Sequence, residues 1–360
     1  MIIESLRLDN FRNYERLDLE LSPGTNLFYG DNAQGKTNIL EAVYVCGTTK
    51  SHRTSRDREL IRFGEDESHL RMMMRREDMT YRIDMHLRKS KAKGIAINAV
   101  PIRRASELIG LGKFIFFSPE DLSIIKNGPA ERRRFLDMEL CQLDRVYVSA
   151  LSSYSRVLFQ RNRLLKDLAF RPQDMPTLDV WDEQLVAYGS KIIESREKFV
   201  QRLDEIVRPI HGRLSAEKER LTVGYDRNVA VSEFADRVRA GRDRDLYLKS
   251  TEVGPHKDDL SFQTNDIDIR RYGSQGQQRT TALSLKLAEI ELVKQATGDS
   301  PVLLLDDVLS ELDVRRQHDL LSSIGSIQTL ITCTGLEEYE RSDFHIDRKF
   351  HVQAGQVSQM

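Results

Sequence analysis

The sequence predicts an α/β protein, a mixed sheet with a parallel core around a phosphate-binding loop, plus an inserted α-helical lid domain with a helical hairpin. Three observations predict it. Gly30-Asp31-Asn32-Ala33-Gln34-Gly35-Lys36-Thr37 follows a short apolar run and opens a helical pattern, which is the context a phosphate loop needs. Near the other end, Pro301-Val302-Leu303-Leu304-Leu305-Asp306-Asp307 reads as a buried parallel strand ending in two acids. Between them, residues 118–222 show helical rather than alternating periodicity.

Bulk properties set the limits. A chain of 360 residues exceeds one ordinary core, so the expected division is a discontinuous head, residues 1–117 and 223–360, around an inserted domain at 118–222. With 39% hydrophobic and 31% charged residues but a net charge of −1, no global basic field announces nucleic acid, and any such surface must be local. Cys46, Cys141 and Cys333 are far apart and form no C-x-x-C pair, so they read as reduced thiols rather than a disulfide frame or zinc site. The N-terminus alternates like a strand and has no basic-then-apolar signal. No apolar run approaches a membrane span. The expectation is a soluble, cytoplasmic protein with no membrane partner.

Taken in order, residues 2–8 and 16–21 alternate as half-buried strands and form the antiparallel edge of the mixed sheet. Arg12 and Asn13, between them, are read two ways: as exposed loop residues, or as side chains near the nucleotide. Ser22-Pro23-Gly24 turns the chain into the loop strand at 25–29. After the first helix, residues 50–62 hold five basic and two acidic side chains. Strands follow at 68–74, 80–87 and 94–98, with Lys89, Lys91 and Lys93 on a hairpin tip. Phe114–Phe117 is a short buried strand, and Ser118-Pro119 opens a helix with Ser as cap and Pro at the first position. Asn127-Gly128-Pro129 closes that helix. A long helical stretch then reaches about residue 168, with Arg132-Arg133-Arg134 in its first turn. Pro172 and Pro176 break it, and a second helix begins near Leu178, with a kink expected at Pro209. Two such amphipathic helices make an antiparallel hairpin.

The chemistry sits at both ends. Gly30 and Gly35 let the backbone of Asp31, Asn32, Ala33 and Gln34 turn its N–H groups on a phosphate, helped by the helix N-terminus. Lys36 reaches the outer phosphates, and the Thr37 hydroxyl is a Mg²⁺ ligand. Asp306, ending its strand, can share that ion, and Asp307 can take a proton from an attacking water or orient it. Asp306 also begins a D-D-x-x-S-x-L-D run, more specific than an acidic pair at a strand end. Ser274-Gln275-Gly276-Gln277, before a helix from Thr280 to Lys294, offers a second phosphate seat; a polar helix cap is the plainer reading.

Together these motifs resemble the ATP-binding-cassette ATPases in their SMC-like branch, and within it the RecF family of bacterial recombination-repair proteins. Beyond the phosphate loop and the acidic run, the resemblance rests on Asn10-Phe11-Arg12-Asn13-Tyr14, Lys50-Ser51-His52-Arg53, the segment from Pro119 to Asp137, Gly254-Pro255-His256-Lys257-Asp258-Asp259 and Ser274-Gln275-Gly276-Gln277-Gln278. It covers essentially the whole chain. It implies an ATP-driven homodimer with two ATPs sandwiched between subunits. Lys36, Thr37, Asp306 and Asp307 act in cis, and Ser274, Gly276 and Gln277 in trans. It also implies ATP-dependent binding of DNA, both duplex and single-strand/double-strand junctions, and work with RecO and RecR to load RecA at gaps. Two departures are visible. Thr334 stands where transporter cassettes carry a His, so slow hydrolysis is expected, and Asn127 stands where the family usually has Gly.

Two other functions share some of these motifs. A transporter's nucleotide-binding subunit would carry the loop, the signature and the acidic strand. The 237 residues from Thr37 to Ser274, the helical hairpin and Thr334 weigh against it. A module holding ATP as a structural ligand is opposed by Asp307 as candidate base. DNA-stimulated ATP hydrolysis separates the three.

Overall fold

The first two strands, β1 (Ile2–Phe11) and β2 (Tyr14–Glu20), pair antiparallel with Leu6 opposite Leu19 and Leu8 opposite Leu17. A tight reversal joins them, with Arg12 in the left-handed region at φ 52°. The computed structural model describes residues 1–335 and 344–360. It divides into two compact units, one of residues 1–121 with 289–360 and one of residues 122–288.

In the first unit, β3 (Thr25–Tyr29) feeds the glycine loop and α1 (Lys36–Thr48). Then come β4 (Glu67–Arg76), β5 (Met79–Arg88), β6 (Gly94–Ile97), β7 (Val100–Pro101) and β8 (Phe114–Phe117). Six strands form an antiparallel sheet ordered β2-β1-β4-β5-β6-β7. Its alternation buries Leu70, Met72 and Met74 with Ile83, Met85 and Leu87 on one face.

The second unit begins with α2 (Leu122–Lys126), α3 (Pro129–Leu143), α4 (Arg145–Asp167) and α5 (Thr177–Leu214). The long stretch expected to run unbroken to residue 168 is two helices. Asp144 is extended and its carboxylate caps α4, accepting from the Val146 N–H at 2.7 Å. The expected hairpin is α4 and α5. Gly189 permits a close approach on α5, since a Cβ there would lie 2.5 Å from Phe234 and 3.0 Å from Tyr154. The helix remains one element through Pro209.

After α5 come β9 (Leu221–Asp226), α6 (Phe234–Ala240), α7 (Arg242–Leu248), β10 (Asp259–Thr264), β11 (Ile267–Asp268), α8 (Ile269–Tyr272) and α9 (Gln275–Thr297). The compact unit therefore extends well beyond residue 222, where helical periodicity ends. β9 pairs with β10, and Arg132 of α3 holds Asp259 of β10 at 2.6 Å. Periodicity could not see those long-range ties.

The chain then supplies β12 (Val302–Asp306), α10 (Val314–Ile324), β13 (Thr329–Cys333), β14 (Arg348–Gln353) and β15 (Gln356–Gln359). These join β3 and β8 in a second sheet ordered β15-β14-β3-β13-β12-β8. Every neighbouring pair is parallel except β14 with β15. The mixed sheet is as predicted, but its antiparallel edge is β15. β1 and β2 belong to the other sheet, because β1 pairs with β4 rather than with β3. Val302, Leu303, Leu304 and Leu305 are fully buried in β12, as a strand covered on both faces requires. Among the described residues no helix is long and apolar enough to cross a membrane.

Candidate phosphate-binding site

β3 is buried from Thr25 to Phe28, and the chain leaves it through two glycines in conformations other residues rarely adopt. Gly30 has φ 148° and Gly35 φ 117°. A Cβ on Gly30 would fall 2.2 Å from the Val352 carbonyl oxygen, and one on Gly35 2.5 Å from Asn13 Nδ2. Both positions need glycine for backbone and for space. Asp31, Asn32 and Ala33 form the exposed crest. The loop is anchored by its carbonyls: Asn13 Nδ2 donates to Gln34 O at 2.8 Å and Tyr14 Oη to Gly35 O at 3.0 Å. The Ala354 N–H adds a bond to Gln34 Oε1 at 2.6 Å.

Lys36 opens α1 and turns its ammonium back over the loop, donating to Gly30 O at 2.5 Å and Asp31 O at 2.8 Å. Burial lowers its pKa, against the opposing pull of Asp307 and other nearby acids. Beside it, Thr37 Oγ1 donates to Asp306 Oδ1 at 2.8 Å, joining residues 269 apart in sequence. Parallel pairing makes this contact, since β13 lies between β3 and β12 and brings both strand ends to one edge.

Thr332 of β13 completes the cluster, and sequence reasoning missed it. Its hydroxyl donates to Asp306 Oδ1 at 2.7 Å and accepts from the Asp307 N–H at 2.9 Å. Burial raises the Asp306 pKa despite these two hydroxyl donors, and Asp307 pushes it the same way. Asp307 itself is left-handed at φ 50°, and its carbonyl accepts from Ser310 Oγ at 2.8 Å. A non-glycine residue in that region is uncommon and strained. Thr334, exposed just past β13, occupies the place read against the transporter histidine.

Arg12 lies beside α1 with its guanidinium committed to Glu41. Nε and Nη2 reach the two carboxylate oxygens at 2.8 and 2.7 Å, and Nη1 donates to Glu59 O at 2.8 Å. Ser51 Oγ adds a bond to Glu41 at 2.6 Å. Burial alone would raise the Glu41 pKa, but the Arg12 and Ser51 bonds outweigh it and hold the pKa below its ordinary value. Glu41 is wholly buried. The run Lys50-Ser51-His52-Arg53, noted for its charge, thus contributes Ser51 to the support of α1. A carboxylate among the apolar residues of that helix was the available signal. Asn13 is exposed and its oxygen accepts from Asn38 Nδ2 at 2.8 Å.

The second unit carries the signature. Ser274 precedes α9, and Ser274 with Gln277 forms a reciprocal cap: the Ser274 N–H donates to Gln277 Oε1 at 2.9 Å and the Gln277 N–H to Ser274 Oγ at 3.3 Å. Gln277 Nε2 also donates to Glu219 at 3.0 Å. The plain capping role is therefore real. Ser274 and Gly276 are nonetheless exposed, and a Cβ on Gly276 would meet nothing closer than 3.9 Å.

The basic run at 132–134 is not uniformly a surface. Arg132 is buried, bonds Asp259 through Nε and Nη2, and donates to Asn127 O at 2.7 Å. Arg133 donates to Asp258 O at 2.7 Å. On the hairpin tip, Lys89 pairs with Asp66 and Lys93 with Asp57, each at 3.1 Å.

With this geometry established, comparison with known proteins is direct. The family model described as the RecF/RecN/SMC N terminal domain matches residues 2–354. The DNA replication and repair protein RecF of Agathobacter rectalis is 58% identical over 357 residues, 99% of each chain. That of Clostridium acetobutylicum is 42% identical over all of both chains. The solved complex of the recombination mediator protein RecF with ATP, in the RecFOR pathway, superposes with TM-score 0.93 at 35% identity, covering 99% of this chain and 97% of that one. An Smc head domain from Pyrococcus furiosus shares the fold alone, with TM-score 0.58 and 16% identity over 99% and 96% of the two chains. The resemblance carried by the motifs is borne out: the chain belongs to the RecF family, in the SMC-like branch of the ATP-binding-cassette ATPases.

Proposed function

We propose that this chain is an ATP-dependent recombination-repair ATPase that closes on DNA as a pair of copies, with ATP at each interface. One observation carries it: the Thr37 hydroxyl and the Asp306 carboxylate meet at 2.8 Å beside the glycine loop and Lys36. Family membership and the ATP-bound relative support it.

In this reading the N–H groups of Gly30 to Gly35 cradle the phosphates, and Lys36 exchanges the Gly30 and Asp31 carbonyls for phosphate oxygens. Asn13 and Arg12 flank the nucleotide, Arg12 mainly by holding Glu41. The Thr37 and Asp306 oxygens suit a hard divalent cation, because desolvation raises the Asp306 pKa and its direct hydrogen bonds come from the Thr37 and Thr332 hydroxyls. They would hold Mg²⁺, which when bound neutralises phosphate charge. Asp307 accepts a proton from water as the water oxygen bonds to the γ-phosphorus. The bridging oxygen keeps the electron pair of the broken bond and leaves with ADP. Turnover is slow, because Thr334 adds no second base to Asp307, and DNA stimulates it. Ser274, Gly276 and Gln277 of a second copy complete the site in trans, so hydrolysis resets the pair. The RecFOR pathway of the similar structures supports RecO and RecR as partners, with RecA loading at gapped DNA as the outcome.

The test is complementation. A Lys36→Ala chain and a Ser274→Arg chain are each expected to be inactive. Mixed, they regain partial ATP turnover, because one interface of the mixed pair joins an intact loop to an intact signature. A mixture as inactive as its components overturns the trans arrangement. Light scattering with and without ATP, on gapped duplex and alone, tests pairing separately.

A further inference from the structure

A second cluster of chemistry lies on the antiparallel sheet, and the nucleotide site makes no use of it. Asp9 of β1, His69 of β4, His86 of β5 and Gly94 of β6 stand directly opposite one another in a row across four strands. Directly opposed residues share a face, and the adjacent Leu70, Met85 and Leu87 are buried on the other one. Glu67 is two residues before His69 and so projects with it. The imidazoles of His69 and His86 stack with centroids 4.1 Å apart and planes 22° apart. Glu67 reaches both: Oε2 is 2.8 Å from His86 Nε2, and Oε1 is 3.8 Å from His69 Nε2.

One ligand atom from each of the three lies within 4.8 Å of the others. Zinc bonds to nitrogen and oxygen of about 2.0–2.1 Å put tetrahedral ligand atoms roughly 3.4 Å apart, which the two observed separations bracket. The surrounding cations have acidic partners of their own. Arg71 and Arg82 each donate to Asp84 at 2.7 Å, and Arg7 lies 3.5 Å from Asp9. Gly94 ends the row without a side chain, and an open groove of about 430 Å³ gives solvent access to both imidazoles. Two imidazoles, one carboxylate and a water-accessible fourth position are a donor set for zinc-type ions.

We propose that Glu67, His69 and His86 form a binding site for a divalent transition-metal ion of the zinc class, water filling the remaining position and the ion tying β4 to β5. The site is independent of the phosphate loop, so it can fail without touching the functional reading. The test titrates Zn²⁺ into the chelator-stripped, nucleotide-free full chain by calorimetry. One ion per chain is expected, and zinc should raise the melting temperature. His69→Ala and His86→Ala should each weaken binding roughly tenfold or more and abolish the melting shift, with unchanged melting in the absence of zinc. Glu67→Gln should weaken binding less, and Cys141→Ser not at all. The absence of binding and of a melting shift in excess zinc overturns the proposal. So does stoichiometric binding that the histidine variants leave intact.

Discussion

Two buried charged clusters in this chain look alike by composition and behave oppositely. Around Asp306, the carboxylate is met directly by the Thr37 and Thr332 hydroxyls while Lys36 and Arg53 act on it through space, and burial raises its pKa. Around Arg196 of α5, the buried charges pair directly. Arg196 donates to Asp258 at 2.9 Å, Asp137 at 2.8 Å and Pro255 O at 2.7 Å, and Tyr225 donates to Asp258 as well. Burial works against the Arg196 proton, but Tyr147 and Asp137 outweigh it and hold the pKa above its ordinary value. Arg161 is bound likewise to Asp182 at 2.6 Å and Asp245 at 2.7 Å. Direct ion pairing marks a scaffold. A desolvated carboxylate held by hydroxyls, its pKa raised, marks a candidate place for a cation.

The largest effect should come from the Asp306–Asp307 side. Asp307→Asn is expected to lower ATP turnover by about 10²–10⁴-fold while nucleotide-dependent pairing survives, read by steady-state hydrolysis and light scattering. Lys36→Arg should weaken pairing and DNA binding together. Full DNA affinity with a normal ATP response in that variant would falsify the switch reading.

On the ion-paired side, Arg196→Met strands Asp258, which is completely buried, and should destabilise by about 3–5 kcal/mol. Urea unfolding measures it, and a loss as small as that of a surface pair would show the network to be dispensable.

Acid sharpens the contrast. Glu41 has a folded pKa below its unfolded one, so its stabilisation is present above the unfolded value and lost as pH falls through the folded value. Asp306 is raised, so its contribution is fully present below the unfolded value and lost as pH rises through the folded one. Asp306→Asn should therefore melt higher than the wild type near neutrality, with the advantage vanishing in acid, and Glu41→Gln should do the reverse. Matching pH profiles for the two variants would remove the distinction. The smallest effect belongs to Lys89→Ala. Its pair with Asp66 is exposed, and such pairs contribute about 0–1 kcal/mol.

Much of the site was legible because its chemistry is local. The glycines, Lys36 and Thr37 fall within eight consecutive positions, and the apolar run before Asp306-Asp307 declares a buried strand. Thr332 was not legible, since a threonine inside an apolar strand looks like ordinary β-sheet composition. Nor was Arg132, whose neighbours in sequence are cations and whose partner Asp259 is 127 residues away.

By itself, the sequence determined the phosphate loop, the two acids, the helical hairpin and the family, because short-range pattern and residue chemistry suffice for each. Only the tertiary structure decided that β1 leaves the core sheet for β4, that the second unit runs to Ala288, and that Thr332 bridges Asp306 and Asp307. The physical reason is the same in all three. Strand partners and buried ion pairs are chosen by which surfaces meet across the folded chain, and no window of neighbouring residues contains that choice.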